Sequence, residues 1–255
     1  LNIIFMGTSE FAIPSLKLLI DRENVIAIIT KPDTPKGRGR VLSPPPIKAY
    51  FKLYNILQPE DIKEPSFIRD IRKLAPELIV VVAYGKILPK EILNIPKYGA
   101  INLHPSLLPK YRGPAPINWT LINGDEITGV TTIFMNEDVD SGDIILSREV
   151  KIEDTDNAVS LGNRLALIGA ELLVETIELI KSGNVKAIPQ NHTLATYAPS
   201  LKKEEGLINW ALSNRKIFNM IRGMVPWPSS FTYINNSMLK IYGAKLSDGK
   251  GIPGE

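Results

Sequence analysis

The sequence predicts an α/β protein built on a mostly parallel, doubly wound sheet. Three observations predict it: continuous apolar runs of strand length, helix-period segments alternating with those runs, and a polar pair placed where one run ends. Residues 2–6 (N-I-I-F-M) form the first run, apolar enough to be covered on both faces. Gly7, Thr8, Ser9 and Glu10 then read as a turn carrying capping residues for an amphipathic helix over 11–21, and an apolar run over 25–30 completes a β-α-β unit. Residues 78–83 are a further strand, bounded by Y-G-K-I-L-P from Tyr84, and a strand over 99–103 follows a helix-compatible stretch. Strands over 129–135 and 144–150 flank an acidic turn and read as a hairpin at the edge of the sheet. Over 156–182, Val159, Leu161, Leu165, Ile168, Leu172, Leu173, Ile177 and Ile180 recur at helical spacing, with Asp156 as the expected cap and Gly183 as the stop.

Residues 188–205 are polar, rich in turn formers and weakly periodic, as a linker is. Beyond them the pattern gives a helix over 213–224, a rigid V-P-W-P-S turn from Val225, and a hairpin of 231–234 with 238–242. The expected organisation is a domain over 1–187, a linker over 188–206 and a C-terminal unit over 207–255 that is marginal on its own.

Composition narrows the chemistry. The absence of cysteine removes disulfides and thiolate catalysis. No apolar run reaches the roughly 18 to 20 residues of a membrane helix, so a cytoplasmic protein with no membrane partner is expected. The net charge of +3 is small, and its placement matters more than its size. Lys31, Lys36, Arg38, Arg40 and Lys48 gather in a Pro/Gly-rich loop against a single carboxylate, Asp33. Glycines alternate with the arginines, so the loop can lie close to a polyanion, and Lys36, Arg38 and Arg40 are candidate phosphate contacts.

Asn102 and His104 stand two apart on one strand and therefore share a face, and Pro105 ends that strand. The carboxyl end of a parallel strand is where open α/β sheets place their active sites. The turn V-D-S-G-D from Val139 supplies a carboxylate, Asp140, with Asp138 and Asp143 as alternatives that could equally stabilise the turn. An amide donor, an imidazole and a carboxylate are the parts needed to steady an oxyanion and move a proton. Other chemistries fit poorly. The turn at Gly7 has neither dinucleotide nor P-loop glycine spacing, the two histidines have no metal-ligand set around them, and Ser106 has no nucleophile elbow.

Five stretches together carry a resemblance: F-M-G-T-S-E-F from Phe5, K-P-D from Lys31 with G-R-G-R from Gly37, N-L-H-P-S-L-L-P-K-Y-R-G-P-A-P from Asn102, D-S-G from Asp140, and A-T-Y-A-P from Ala195. Over nearly its whole length the chain resembles the 10-formyltetrahydrofolate-dependent formyltransferases. The Asn, His and Asp set with S-L-L-P is common to that family, whose acceptors include glycinamide ribonucleotide and sugar nucleotides. The K-G-R-G-R loop and the A-T-Y-A-P linker are those of the branch that acts on tRNA. The resemblance implies a Rossmann-like catalytic domain followed by the start of an OB-like β-barrel. It also implies transfer of a formyl group from 10-formyltetrahydrofolate, without a metal, to the α-amino group of initiator methionyl-tRNA in translation initiation. Asn102, His104 and Asp140 take the catalytic positions. Ser106, Leu107, Leu108 and Pro109, with Lys86, Ile87 and Leu88, take the folate-binding ones, and Lys36, Arg38 and Arg40 match the loop that meets tRNA. A monomer is expected. Family chains begin with Met and run further than Glu255, so this chain reads as truncated. Two alternatives stay open: a formyltransferase acting on an amino-sugar nucleotide or another small amine, and a non-catalytic RNA-binding protein.

Overall fold

The computed structural model describes residues 1–36, 41–247 and 251–252. In chain order the first half holds β1 (Asn2–Gly7), α1 (Ile13–Arg22), β2 (Asn24–Ile29), β3 (Thr34–Lys36), β4 (Val41–Ser43), α2 (Pro46–Tyr50), β5 (Ile56–Leu57) and α3 (Pro65–Lys73). Then follow β6 (Leu78–Val82), α4 (Lys90–Leu93), β7 (Ala100–His104), α5 (Pro116–Asn123), β8 (Ile127–Phe134), β9 (Ile144–Lys151) and α6 (Ala158–Lys181). The C-terminal part adds α7 (Asn214–Gly223), β10 (Ser230–Ile234) and β11 (Ser237–Ile241).

The central sheet has seven strands in the order β5-β2-β1-β6-β7-β8-β9. The five from β5 to β7 run parallel, and β8 and β9 are antiparallel, with β9 at the edge. This is the mostly parallel sheet with an edge hairpin that the apolar runs predict. Because side chains alternate across a strand, each run feeds two cores. Ile3, Phe5, Leu78, Val80, Val82, Ile101 and Leu103 join Leu16, Leu19, Leu165, Leu172 and Ile177 beneath α1 and α6. Ile4, Met6, Ile79, Val81 and Ala100 join Ile71, Ile92 and Leu93 beneath α3 and α4.

Several local expectations are corrected. The turn after β1 does not cap α1 with a side chain: a short 3₁₀ turn (Glu10–Ala12) intervenes, and Thr8 Oγ1 instead donates to the Tyr84 carbonyl at 3.0 Å. The cap of α6 is Asn157, whose carboxamide oxygen accepts from the main-chain N–H of Val159 and Ser160 while the Ser160 hydroxyl accepts from Asn157 N. Asp156, one residue earlier, is engaged by Arg164 and by the Glu153 N–H. Gly183 does stop the helix: at φ +69° it lets Asn184 N reach Leu179 O and Gly183 N reach Ile180 O, closing a Schellman motif. Within the stretch read as a basic loop, β3 and β4 pair antiparallel, so its flanks form a ribbon. Gly37, Arg38, Gly39 and Arg40 at its tip lie outside the described residues, and Lys36 is placed only as the last residue of β3.

The C-terminal segment is docked on the sheet-bearing part. Leu201, Ile208, Met220, Ile221 and Met224 bury one another and also take in Trp119 and Ile122 of α5. Helices α5 and α7 approach closely at Gly223, where an added Cβ would stand 2.6 Å from Ile122 Cγ1, and Asn118 Nδ2 donates to the Gly223 carbonyl at 2.7 Å. A core too small to stand alone is thus completed by a helix from outside the segment.

Candidate active site

Strand β7 places the polar pair. Ile101 and Leu103 point into the core under α6, so Asn102 and His104 point to the opposite side, at the carboxyl end of the parallel strands. After His104 the chain leaves the sheet, and Thr131 on β8, paired with His104 in register, fixes the departure: its hydroxyl donates to Ser106 O at 2.7 Å and accepts from Leu108 N at 3.3 Å.

Of the three acids in the turn between β8 and β9, Asp140 is the one that meets the pair. Its carboxylate accepts from Asn102 Nδ2 at 3.3 Å and from the Gly113 N–H at 2.8 Å, and its Oδ2 lies 3.5 Å from His104 Nδ1. Asp140 sits in the left-handed region at φ +51°, a conformation that an Asp tolerates better than most residues. Gly142 permits the turn to close, since a Cβ there would run into the Phe134 carbonyl.

His104 is buried, with both ring nitrogens engaged. Nε2 lies 2.8 Å from Tyr111 O, and a carbonyl only accepts, so Nε2 carries a hydrogen. Nδ1 then faces the carboxylate, and a second proton placed there would be donated to Asp140. Asp140 keeps a little exposure, with 15 % of its side chain accessible, so the carboxylate opens to the surface while the imidazole does not.

The sequence reading missed the residues that hold this arrangement. Arg112 and Gln190 are both buried; Gln190 Oε1 accepts two bonds from the Arg112 guanidinium, and its Nε2 donates to Asp140 O at 2.9 Å and Gly142 O at 2.7 Å. One amide side chain therefore joins the loop after β7 to the turn bearing Asp140. Around it, Arg112 N donates to Thr196 O, Ala198 N to Arg112 O and Ala115 N to Ala198 O. The A-T-Y-A-P segment read as linker is thereby a main-chain clamp on the active loop. Tyr111 adds a further tie: its hydroxyl donates to Asp125 at 2.7 Å, and burial first, with the Asp125 carboxylate, pushes the phenol up to about 12. No motif marks Gln190, which is one polar residue among several in the stretch read as linker.

The folate-assigned residues divide. The Ser106 hydroxyl is buried and donates to Lys110 O, and the Leu108 and Leu88 side chains are buried. Leu107 and Pro109 are half-buried, and Ile87 is 64 % exposed in the loop after β6, the strand beside β7. Lys86 donates to the carbonyls of Pro59 and Glu60. Two surface concavities, one lined by Ile13, Pro14 and Tyr50, the other by Phe218, Arg222 and Tyr242, lie elsewhere. Among the described residues no group of His, Asp or Glu could hold a metal ion, and no helix is long and apolar enough to cross a membrane.

Residues 1–177 match the formyl transferase family and residues 200–255 match the formyl transferase C-terminal domain. The chain belongs to the formyl transferase family. A methionyl-tRNA formyltransferase of Geotalea uraniireducens is 50% identical over 257 residues, spanning 100% of this chain and 82% of the relative. One from Thermodesulfovibrio yellowstonii is 51% identical, spanning 99% of this chain and 83% of the relative. Among solved structures, a sugar N-formyltransferase from Shewanella sp. superposes with a TM-score of 0.73 at 18% identity, covering 97% of this chain and 99% of its own. HypX from Aquifex aeolicus in complex with tetrahydrofolic acid gives 0.72 at 18% identity over 100% of this chain and 40% of its own. At that identity the structural likeness is one of fold.

Proposed function

We propose that this formyl transferase family member moves the formyl group of 10-formyltetrahydrofolate to the α-amino group of initiator methionyl-tRNA, in the cytoplasm, as a step of translation initiation. The observation that carries the chemistry is the meeting of Asn102, His104 and Asp140 at one point. What supports the acceptor is about half identity, over the full chain, to proteins that bear this activity in their names.

The folate supplies an activated formyl carbon. As the amine attacks, the carbonyl oxygen gathers negative charge, and the second Asn102 Nδ2 hydrogen, not used by Asp140, is free to donate to it. With Nε2 committed to Tyr111, a proton on His104 Nδ1 lies between the Asp140 carboxylate, at a long 3.5 Å, and the forming oxyanion, and it can be shared with both. Asp140, whose carboxylate is more exposed than the His104 imidazole, accepts the proton lost by the amine, directly or through water, and returns it to the departing N10. The new amide C–N bond forms, the C–N10 bond breaks, and no covalent enzyme intermediate is required. Ser106, Leu107, Leu108 and Pro109, with Lys86, Ile87 and Leu88, frame the folate mainly through main chain and apolar surface, and Lys36, Arg38 and Arg40 meet the RNA backbone.

The test is formyl transfer from 10-formyltetrahydrofolate to charged initiator tRNA, to uncharged tRNA and to an amino-sugar nucleotide. Transfer to methionyl-tRNA alone is expected. A preference for the amino sugar, or no transfer to any acceptor, would overturn the assignment.

A further inference from the structure

The parallel strands change direction of succession at β1, with β2 on one side and β6 on the other. Lys31 follows β2, yet its ammonium does not stay there. An added Cβ at Gly85, in the loop after β6, would stand 2.6 Å from Lys31 Nζ and 3.2 Å from its Cε. The Lys31 side chain therefore reaches across the end of β1, and the lack of a side chain at Gly85, itself at φ +72°, gives it room.

A lysine laid inward in this way ordinarily meets a carboxylate or a carbonyl. Among the described residues none accepts from Lys31 Nζ: the nearby Asp33 is taken by Lys48 at 2.9 Å and by Gln58, whose amide reaches Lys31 only at its main-chain carbonyl. The neighbour is another cation, Lys86, fixed by the carbonyls of Pro59 and Glu60. Burial first, and then the charge of Lys86, hold the Lys31 ammonium below the usual lysine range. Two like charges at the crevice outside the carboxyl ends of parallel strands repel until an anion lies between them. The place is the same edge that carries the polar pair, since Val82 at the end of β6 is in register with Leu103, one residue before His104.

We propose that Lys31, with Lys86 beside it, binds one oxyanion of a substrate at this switch point. The inference rests on the proposed reaction, whose substrates offer two sources of such a group: a phosphate near the acceptor end of the RNA, and a glutamyl carboxylate of the folate. Both present negatively charged oxygens to an ammonium, and Lys31→Met keeps the aliphatic stem while removing the charge.

The experiment has two arms. In the first, inorganic pyrophosphate is titrated into the wild type and Lys31→Met at low ionic strength, and binding at least about 10-fold weaker in the variant is expected. In the second, KM is measured for each substrate with the other saturating. A rise of about 10-fold for methionyl-tRNA names the phosphate, the same rise for the folate names the carboxylate, and Lys31→Arg recovers most of it. If both KM values stay at wild-type levels, the proposal is overturned whatever pyrophosphate does. If the wild type transfers no formyl group, the reaction assignment fails, and the first arm alone decides the anion site: equal pyrophosphate binding by both proteins overturns it, and loss in the variant upholds it.

Discussion

The three candidate catalytic residues have unequal duties, and their hydrogen bonds set the consequences of substitution. Asn102→Ala removes the donor free to meet the oxyanion, and His104→Ala removes the ring that stands between Tyr111 and Asp140. Each is expected to lower kcat by about 100- to 1,000-fold, the usual effect of an oxyanion donor, with folate affinity largely unchanged. Turnover within a few-fold of wild type in either variant would remove that residue from the chemistry. Gln190 acts through others, so its test must separate position from stability. Gln190→Glu keeps an acceptor for Arg112 but turns a carboxylate oxygen toward the carbonyls of Asp140 and Gly142. It is expected to cost less stability than Gln190→Ala, which strands a buried guanidinium, and yet to reduce kcat by about 10- to 100-fold with little change in KM. A full loss of rate recovered by Gln190→Glu would show that pairing Arg112, not holding the turn, is what matters.

At the scale of elements, long periodic segments were legible and short connecting ones were not. The strands β1, β2, β6, β7, β8 and β9 and the helix α6 announce themselves because apolar residues recur along each at the spacing of its element. The short β5 and the helix α2 escape notice because a few residues cannot display a period, and tertiary packing rather than propensity holds them. The edge hairpin was readable, but not the reason that its turn can present Asp140, which lies in the close approach of Gly142 to the Phe134 carbonyl. Gly142→Ala is expected to cost about 1–3 kcal/mol, as overpacking does, and to lower activity further by displacing the carboxylate. A urea midpoint and kcat both equal to wild type would show that the turn can relax around a methyl group.

For the whole molecule, one buried phenol, Tyr84, and one half-buried phenol, Tyr111, tie stability to alkaline pH. Burial pushes Tyr84 up to about 12, and burial with the Asp125 carboxylate pushes Tyr111 up to about 12. Both are ordinarily near 10 when unfolded. A raised folded value means that the native state holds these protons more tightly, so the stabilisation is fully present below pH ~10 and is lost as pH rises through ~12. Tyr84→Phe should therefore flatten the fall in urea midpoint between pH ~10 and ~12, with a change of no more than about 1 kcal/mol near neutrality. An alkaline limb as steep as the wild type's would assign the loss to other groups.

The sequence by itself determined the sheet, its two-sided core and the shared face of Asn102 and His104, because alternation and apolar runs are local properties that survive in any context. Residue types alone left Asp138, Asp140 and Asp143 open, with only the family resemblance favouring Asp140, and the sequence could not show Gln190 joining two loops or the A-T-Y-A-P segment gripping the loop after β7. Nor could it bring Lys31 across β1 to Gly85. Those contacts join residues far apart in the chain, and only the packing of the folded molecule sets which of them meet.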